Sequence, residues 1–448
     1  MSPDQIYPNS SSNSARLHER AQRVLPGGNT RTTVFRDPYP IYAHSGNGSR
    51  ILDVDGIERV DFLNNYTALI HGHAHPSIVR AATSAVENGS CFGAPTESEI
   101  RLAEMLVERV PGCENVRFTN SGSEAVMMAV KAARAYTGRP KIAKCEGLYH
   151  GSYDFVEVSL DSSPADWGDP AQPNQVPYSA GTPASVLSDV VVLPFNDSEA
   201  SLRLLEQHAT ELAAVIVDPL PNRIGLIPAS RDFLATLRSF CSRAGVVLIS
   251  DEVISFRIGY GGAAAAFGFQ ADLITLGKVI GGGFPVRAVC GRKDVMSVFD
   301  PTTGKPAAPH GGTFNANPVT MAAGSAALEL LTPTVVADLN ELGQLARQRM
   351  QAVIHEAGVP WRVTGEASLF RFVPEQRELV GYRSTWADPE SARLIERFTG
   401  SLLNHGVLVD PGGLGCLSTV MSEADVDILE HAVEIALREA NIHTLETT

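Results

Sequence analysis

Lysine is scarce in this sequence, and basic charge is in the minority. Only six of the 36 basic residues are lysines, and the 50 acidic residues give a net charge of −14. Proteins that bind a phosphate backbone usually carry a basic patch, so we expect no nucleic-acid partner. A chain that uses a lysine covalently has few candidates here, namely Lys131, Lys141, Lys144, Lys278, Lys293 and Lys305.

Cysteine pairs and long apolar runs are also missing. The six cysteines are widely spaced, with no CxxC pair, so we expect neither a disulfide framework nor a zinc site. His71, His73 and His75 in HGHAHP have no cysteine or acid close by, which favours a turn over a metal site. No run reaches the roughly 18 apolar residues of a membrane span, and the polar N-terminus lacks a signal-peptide core. We therefore expect a cytoplasmic protein without a metal or a membrane partner.

The order of apolar segments predicts two domains behind a polar arm at residues 1–14. Over residues 76–325, short apolar strands such as VVLISDEV and DLITLG alternate with helices. This pattern is typical of a mostly parallel sheet covered on both faces, and thus of a large α/β domain. Residues 15–75 and 326–448 mix helices with short strands and are predicted to form a small α+β domain from both chain ends.

Three residues between a strand and a helix could bind a phosphate. Ser121, Gly122 and Ser123 stand between VRFTN and EAVMMAVKAARAY, where free N–H groups, hydroxyls and the positive helix end meet. An ordinary capping box explains the same residues, because Glu124 follows Ser121 by three positions. The P-loop pattern GxxxxGK[ST] is absent, so both interpretations stay open.

Two further apolar strands are followed by residues that could take part in catalysis. Asp251 and Glu252 follow VVLIS, and Lys278 follows DLITLG just before three glycines. Ligands of open α/β sheets bind at this edge. An ionised acid there can hold a proton on a ligand nitrogen, and a desolvated lysine becomes nucleophilic, as Schiff-base chemistry requires. The alternative for the acid pair is a strand end that simply faces solvent.

Together the three segments require a ligand with a phosphate, an aldehyde and a ring nitrogen. Pyridoxal phosphate carries all three groups. An aromatic side chain that could stack on its ring is also available, because KCEGLYHGSYD places Tyr149 and His150 just after another strand of the same sheet.

Five ordered motifs resemble those of class III (fold type I) aminotransferases. They are VRFTNSGSEA, EGLYHG, SDEVISFRIGYGG, DLITLGKVIGGGFPV and HGGTFNANPVTMAAG, and the resemblance runs from about Leu25 to the C-terminus. It implies that Lys278 forms the Schiff base with pyridoxal phosphate and moves protons, and that Asp251 pairs with the pyridine nitrogen. It also implies a homodimer with shared sites, in which Thr313 reaches the phosphate of the neighbouring subunit. The other cofactor-binding residues that it implies are Ser121, Gly122, Ser123, Tyr149, His150 and Val253.

Within the class, the motifs point to two branches. PGG, DVDG, GHAHP, FGAPTE and YGG resemble glutamate-1-semialdehyde 2,1-aminomutase, whereas NTR and YTA resemble β-amino-acid (β-phenylalanine) aminotransferases. In the latter, an arginine matching Arg31 holds the substrate carboxylate, and Tyr66 stands where the aminomutase pattern has tryptophan. Arg223 replaces an uncharged residue near the cofactor and offers a second anion contact. Arg31 could instead cap a helix or face solvent.

The resulting prediction is an aminotransferase that moves an amino group from an amino acid, with β-amino acids as candidates, or from an amine to a keto acid in a ping-pong cycle. The alternative is the aminomutase, which moves the amine within one molecule. A non-catalytic phosphate-binding protein and a metal hydrolase remain as other classes. The long loop over residues 158–183 has no basic residue, and we expect it to form a lid over the substrate.

Overall fold

The computed structural model describes residues 6–302 and 304–439, so the start of the predicted arm and the end of the chain lie outside the described residues. The strands are β1 (Ala43–Asn47), β2 (Arg50–Asp53), β3 (Glu58–Asp61), β4 (Asn115–Thr119), β5 (Lys141–Cys145), β6 (Gly168–Asp169), β7 (Gln172–Pro173), β8 (Val190–Leu193), β9 (Leu212–Val217), β10 (Val247–Asp251), β11 (Leu273–Leu276), β12 (Arg287–Gly291), β13 (Arg362–Thr364), β14 (Leu369–Val373), β15 (Val407–Leu408) and β16 (Leu414–Cys416). The helices are α1 (Asn13–Gln22), α2 (Asn64–Thr67), α3 (Pro76–Glu87), α4 (Glu97–Arg109), α5 (Gly122–Thr137), α6 (Asp154–Glu157), α7 (Ala184–Ser188), α8 (Ser198–Gln207), α9 (Arg231–Ala244), α10 (Ala263–Phe267), α11 (Lys293–Met296), α12 (Pro318–Leu330), α13 (Pro333–Glu356), α14 (Tyr382–Thr385), α15 (Pro389–Asn404) and α16 (Glu423–Glu439).

A seven-stranded sheet in the order β4-β12-β11-β10-β9-β5-β8 forms the centre of the large domain. Strand β12 is antiparallel to both of its neighbours, and the other six strands run parallel to one another. The mostly parallel sheet expected from the sequence is therefore confirmed. Strand β12 is an addition to that expectation, because its five residues follow a glycine-rich loop without the helix that precedes a parallel strand.

Helices cover both faces of this sheet. On one face α5 packs small side chains such as Ala129 and Ala133 against the strands. On the other face α8 and α9 contribute larger ones, including Leu205 and Phe233. Burial on both faces explains why the central strands are continuous apolar runs: every residue of β9, β10 and β11 is buried.

The two chain ends build a second unit. Strand β15 pairs in parallel with β3, with Val407 opposite Val60, at the edge of a sheet in the order β1-β2-β3-β15. A second sheet, β13-β14-β16, lies near α13, α15 and α16. Their shared core contains Trp361, Phe372 and Phe398, whose rings meet edge to face. This is the small α+β domain that the sequence predicts from both chain ends.

The described residues contain neither a single helix that could cross a membrane nor a cluster of side chains suited to a metal ion. No single helix there is long and apolar enough to cross a membrane, and one helix pair, α12 with α13, passes that test together although it is bent by 74°. The same residues hold no group of three or more His, Cys, Asp or Glu side chains suited to a metal ion. In HGHAHP, His71 contacts the Thr419 hydroxyl, and His73 pairs with Asp61 at 2.7 Å.

Candidate active site

Asp251 ends β10 at the carboxyl edge of the central sheet, and three groups orient its carboxylate. The Thr275 hydroxyl donates to Oδ1 at 2.8 Å, and the Val253 N–H donates to the same oxygen at 3.2 Å. Nδ1 of His150 lies 2.7 Å from Oδ2. The side chain is buried. Its direction is therefore set by one residue of the neighbouring strand β11 and by two loop residues. A carboxylate oxygen can then accept a hydrogen bond from a protonated ligand nitrogen.

His150 reaches Asp251 from the loop after β5. Burial lowers the pKa of His150, so the imidazole is neutral at pH 7 and its Nδ1–H donates to the carboxylate. The other ring nitrogen, Nε2, is buried and has no hydrogen-bond partner among the described residues. The ring therefore positions Asp251 without adding a positive charge beside it.

Lys278 follows β11, the strand next to β10, so its amine enters the site from the same sheet edge as Asp251. Its φ of 49° lies in the left-handed region, which non-glycine residues rarely adopt. Burial, followed by the charge of Arg287, lowers the pKa of Lys278 to about 7. A large share of the amine is therefore uncharged near neutral pH and able to act as a nucleophile or base.

The predicted phosphate segment begins α5 at this edge, and it also forms the capping box of the alternative interpretation. Oγ of Ser121 accepts from the Glu124 N–H at 3.2 Å, and the Glu124 carboxylate accepts from the Ser121 N–H at 2.8 Å. Capping leaves the first-turn N–H groups of Gly122 and Ser123 pointing out of the helix. The two interpretations are thus compatible, because one uses the Ser121 hydroxyl and the other the backbone of the next two residues.

Val253 connects the phosphate segment with the lysine. A Cβ placed on Gly122 would lie 3.6 Å from Cγ1 of Val253, and one placed on Gly277 would lie 3.1 Å from the same atom. Tyr149 stands beside His150 and is 47% exposed, so its ring can still be covered by a ligand. The assignment of these two side chains to opposite faces of the cofactor ring stays a prediction.

Asp218 is a second buried acid that was not among the predicted site residues. It follows β9, and its Oδ1 accepts from the Leu220 N–H at 2.9 Å and from the Ser255 hydroxyl at 3.1 Å. Burial, followed by the negative charge of Asp251, raises the pKa of Asp218 to about 8. The group is therefore mostly neutral at pH 7. Its sequence signal is the same as that of Asp251, an acid directly after an apolar strand.

The predicted substrate residues Arg31 and Tyr66 lie together. The guanidinium carbon of Arg31 is 5.9 Å from the centre of the Tyr66 ring, and its Nη1 donates to Oδ1 of Asn65 at 2.8 Å. The Tyr66 hydroxyl donates to the Thr33 carbonyl. Arg31 is exposed, and within the described part of the chain its side chain donates to the neutral amide of Asn65 and not to a carboxylate. One side of its planar fork can therefore accept a substrate carboxylate.

Tyr66 sits in a left-handed turn formed by Asn64–Thr67. All four residues have φ between 49° and 70°, a conformation that is unfavourable by roughly 1–2 kcal/mol per non-glycine residue. Oδ1 of Asp61 accepts from the Asn64 N–H at 2.8 Å at the start of the turn. At its end, the fully buried Arg257 donates to the Thr67 carbonyl at 3.0 Å. Because Arg257 belongs to SDEVISFR, the segment after Asp251 supports the turn that carries Tyr66.

Arg223 forms an ion pair with the long loop over residues 158–183. Its Nη2 lies 2.8 Å from Oδ1 of Asp161. The loop is also attached elsewhere, since Arg383 donates to the carbonyl oxygens of Trp167 and Gly168 at 2.7 and 2.8 Å. The roles of Arg223 as an anion contact and of the loop as a lid stay predictions.

Thr313 lies in a part of the surface that the other predicted residues do not line. Residues 91–96, Glu99, residues 312–313 and residues 315–318 surround a cavity of about 270 Å³, and Thr313 is the predicted site residue among them. Its carbonyl accepts from Sγ of Cys91 at 3.4 Å, and its neighbour Phe314 is 62% exposed. This position suits a residue that contributes to the site of another subunit, and the assignment stays a prediction.

The residues around Asp251 fit pyridoxal phosphate. A carboxylate fixed by three donors suits the pyridine nitrogen, a lysine with a pKa of about 7 suits the aldehyde, and a helix start suits the phosphate. Two buried nitrogens, Nε2 of His150 and Nε of Arg287, lack partners within the described residues. Unpaired buried polar atoms of this kind are expected where a polar ligand completes the site.

Comparison with known proteins gives the family. Residues 33–422 match the family aminotransferase class-III. The chain belongs to the class-III aminotransferases. Its fold resembles that of an omega-transaminase from Sphaerobacter thermophilus, with 54% identity, a TM-score of 0.95, and 97% of this chain and 99% of that chain covered. A beta-phenylalanine aminotransferase from Variovorax paradoxus has 36% identity and a TM-score of 0.86, with 96% and 95% covered. A glutamate-1-semialdehyde 2,1-aminomutase from Methanopyrus kandleri is 40% identical over 432 residues, 95% of this chain and 97% of that protein.

These matches confirm the predicted family, the fold type and the conclusion that this class-III aminotransferase is an enzyme. The curated relatives and the solved structures differ in which of the two predicted activities they support. The curated relatives include several aminomutases and so favour the alternative function over the main prediction. The solved structures include a transaminase that is more similar in sequence than those aminomutases.

Proposed function

We propose that this class-III aminotransferase uses pyridoxal phosphate to transfer an amino group from an amino acid or amine to a keto acid. The observation that carries the proposal is the meeting of Lys278 and Asp251 at one edge of the central sheet. The exposed guanidinium of Arg31, beside Tyr66, is the proposed contact for a substrate carboxylate. The similarity to the Sphaerobacter omega-transaminase supports transfer between two molecules.

The residues of this chain would each perform one task. When bound, pyridoxal phosphate supplies an aldehyde that condenses with amines and a ring that withdraws electrons. Asp251, oriented by Thr275 and His150, would hold the proton on the ring nitrogen. Lys278 would hold the cofactor through its amine and, once released by the donor, would take a proton from the donor carbon and return it.

Arg31 would recognise the carboxylate of an amino-acid donor. Its fork is fixed by Asn65 and by the Tyr66 ring, and a fixed planar guanidinium suits bidentate pairing. β-Amino acids are the proposed donors, a choice supported by the likeness to the Variovorax beta-phenylalanine aminotransferase.

The test is a single half-reaction. The holoenzyme is mixed with one donor and no acceptor, using β-amino acids, α-amino acids, ω-amines and arylalkylamines in turn. We expect about one equivalent of the keto or aldehyde product per active site from productive donors, since the amino group stays on the enzyme. Arg31→Ala should raise the KM for amino acids and leave the KM for plain amines unchanged. Absence of product with every donor would overturn transfer between molecules, and equal losses for both donor types would overturn the role of Arg31.

Glutamate-1-semialdehyde 2,1-aminomutase activity is the second candidate, favoured by the 40% identity to the Methanopyrus enzyme. It requires the pyridoxamine form of the enzyme and no external acceptor. Formation of 5-aminolevulinate from the semialdehyde alone, at a rate above that of any transamination in the donor panel, would replace the main proposal.

A homodimer is part of the proposal. The exposed Phe314 and the neighbouring Thr313 would face a second copy of the chain and place Thr313 at the partner's cofactor phosphate. The support is that two large aromatic side chains, Phe92 and Phe314, are exposed close to Thr313 and could be buried against a second copy.

A further inference from the structure

Arg287 begins β12 between the two parts of the site that hold the cofactor. In the β12–β4 pair it lies opposite Thr119, two residues before Ser121. In the β12–β11 pair the next residue, Ala288, lies opposite Leu276, two residues before Lys278. The antiparallel insertion of β12 thus delivers an arginine to the sheet edge, with the phosphate segment on one side and the lysine on the other.

The side chain of Arg287 passes directly over Gly277. A Cβ placed on Gly277 would overlap Cδ and Nε of Arg287, so the missing side chain at that position makes room for the guanidinium. The same Cβ would lie 3.1 Å from Val253, which is the residue that also neighbours Gly122. Arg287, Val253 and Gly122 therefore line one continuous strip of the site.

The guanidinium lacks an anion. Its one hydrogen bond in the described residues runs from Nη1 to the carbonyl of Val286 at 2.6 Å, and Nε is buried without a partner. By comparison, the fully buried Arg59 pairs with the Asp53 carboxylate at 2.6 Å, and its Nε donates to the Leu403 carbonyl. Desolvation lowers the pKa of the half-buried Arg287 to about 10. A desolvated cation is unfavourable unless hydrogen bonds or an anion compensate it, and the buried Nε of Arg287 has neither within the described residues.

We propose that Arg287 binds the phosphate of pyridoxal phosphate, together with the first turn of α5. An oxyanion is the group that an unpaired guanidinium recognises. A substrate carboxylate is the other possible source of that chemistry. The phosphate is favoured because Arg287 borders the strand that leads into Ser121, whereas the exposed arginine predicted to bind substrate, Arg31, sits beside the separate turn of Tyr66. The proposal rests on the cofactor of the proposed function and is independent of the amino donor.

The experiment compares a phosphorylated with an unphosphorylated ligand. Apoenzyme is titrated with pyridoxal phosphate and with pyridoxal, and the Kd is read from the absorbance and from the quenching of tryptophan fluorescence. For Arg287→Gln we expect the Kd of pyridoxal phosphate to rise at least about tenfold, the loss of one charge-assisted contact, with the Kd of pyridoxal nearly unchanged. Inorganic phosphate should compete with pyridoxal phosphate in the wild type and less well in the variant. Arg243→Gln, which removes an exposed arginine of α9, is the matched control.

Three results would overturn the proposal. Equal weakening of both ligands would mean that Arg287 merely shapes the site, and an unchanged Kd for pyridoxal phosphate would mean that it does not bind the phosphate. A higher KM for carboxylate donors with an unchanged cofactor Kd would assign the arginine to the substrate. If Arg287→Gln does not fold, Arg287→Lys keeps the charge without the fork, and the same selective loss for pyridoxal phosphate is expected in smaller measure. A failure of the donor panel with a selective loss here would leave the phosphate contact in place.

Discussion

Asp161 and Arg223 form an ion pair of 2.8 Å that ties the loop over residues 158–183 to the segment after β9. The pair is partly exposed on both sides, so its contribution to stability is small, about 0–1 kcal/mol. Its importance lies in the fact that the carboxylate of Asp161 occupies a guanidinium that the sequence predicts to contact substrate. The enzyme's own acid therefore competes with any anion for Arg223.

Removing that competition should strengthen the binding of acidic substrates. Asp161→Asn is expected to lower the KM for 2-oxoglutarate by about two- to fivefold, in proportion to a surface pair of this strength, while kcat stays the same. The KM for pyruvate, which has only one carboxylate, should fall less than the KM for 2-oxoglutarate. Steady-state kinetics with both acceptors measure the effect, and Asp154→Asn, an exposed acid of α6, is the control. An unchanged KM for both acceptors would show that Arg223 does not meet substrate.

Thr275 is expected to affect turnover through Asp251. Thr275→Val removes the hydroxyl that donates to Oδ1 of Asp251 at 2.8 Å. A lost hydrogen bond to a charged group should reduce kcat about tenfold or more, because the ring nitrogen loses its well-oriented partner. The KM for the donor should change little. Thr275→Ser keeps the hydroxyl and should restore most of kcat, and failure of that rescue would point to packing instead.

The raised pKa of Asp218 leads us to expect that the stability of the folded chain decreases as the pH rises. Its pKa of about 8 in the folded chain exceeds the ordinary value of 3.8, because burial and the charge of Asp251 disfavour its ionised form. The folded state therefore binds more protons than the unfolded state between about pH 4 and pH 8, and this contribution to stability is lost as the pH rises through that window. Apoenzyme with Asp218→Asn should show a flatter decline of the unfolding midpoint from pH 5 to pH 8. A decline as steep as that of the wild type would contradict a neutral Asp218.

Cys91 can report on the proposed dimer. It is exposed in the single chain, and the other five cysteines are buried. If the surface around Thr313 and Phe314 contacts a second copy, the native wild type should show no rapidly reacting thiol. Phe314→Asp should convert the enzyme to a monomer by light scattering and expose one fast thiol per chain. That thiol should disappear in the double variant with Cys91→Ser. One fast thiol in a wild type of monomer mass would contradict the dimer.

The central site could be predicted from the sequence because its residues follow a local rule. Asp251 and Lys278 each stand directly after an apolar strand, so their shared edge follows from a parallel sheet without knowledge of the strand order. Asp218 obeys the same rule, because it directly follows the apolar strand β9.

Other features depend on contacts that no local pattern contains. Arg287 lies at the site because β12 inserts between β4 and β11. The pairing of β12 with β4 joins segments about 170 residues apart in the sequence. Thr275 lies within the apolar strand β11, and nothing in the local sequence singles it out. Its hydroxyl reaches Asp251 only because β11 pairs with β10. The ion pair between Asp161 and Arg223 joins two irregular segments, for which periodicity gives no register.

The left-handed turn Asn64–Thr67 limits which side chains this enzyme can carry beside Arg31, its proposed substrate contact. Most side chains introduced at these four positions would meet a backbone conformation that they resist, with glycine and asparagine the least affected. Arg257, which holds the end of the turn, is encoded close to Asp251, so mutations that relax the turn disturb the neighbourhood of the ring nitrogen. Under the proposed function, adaptation to new donors is therefore open mainly to the predicted substrate residue Arg31 and to the predicted lid over residues 158–183. Variant libraries should therefore vary Arg31 and residues 158–183 and keep the turn Asn64–Thr67 unchanged.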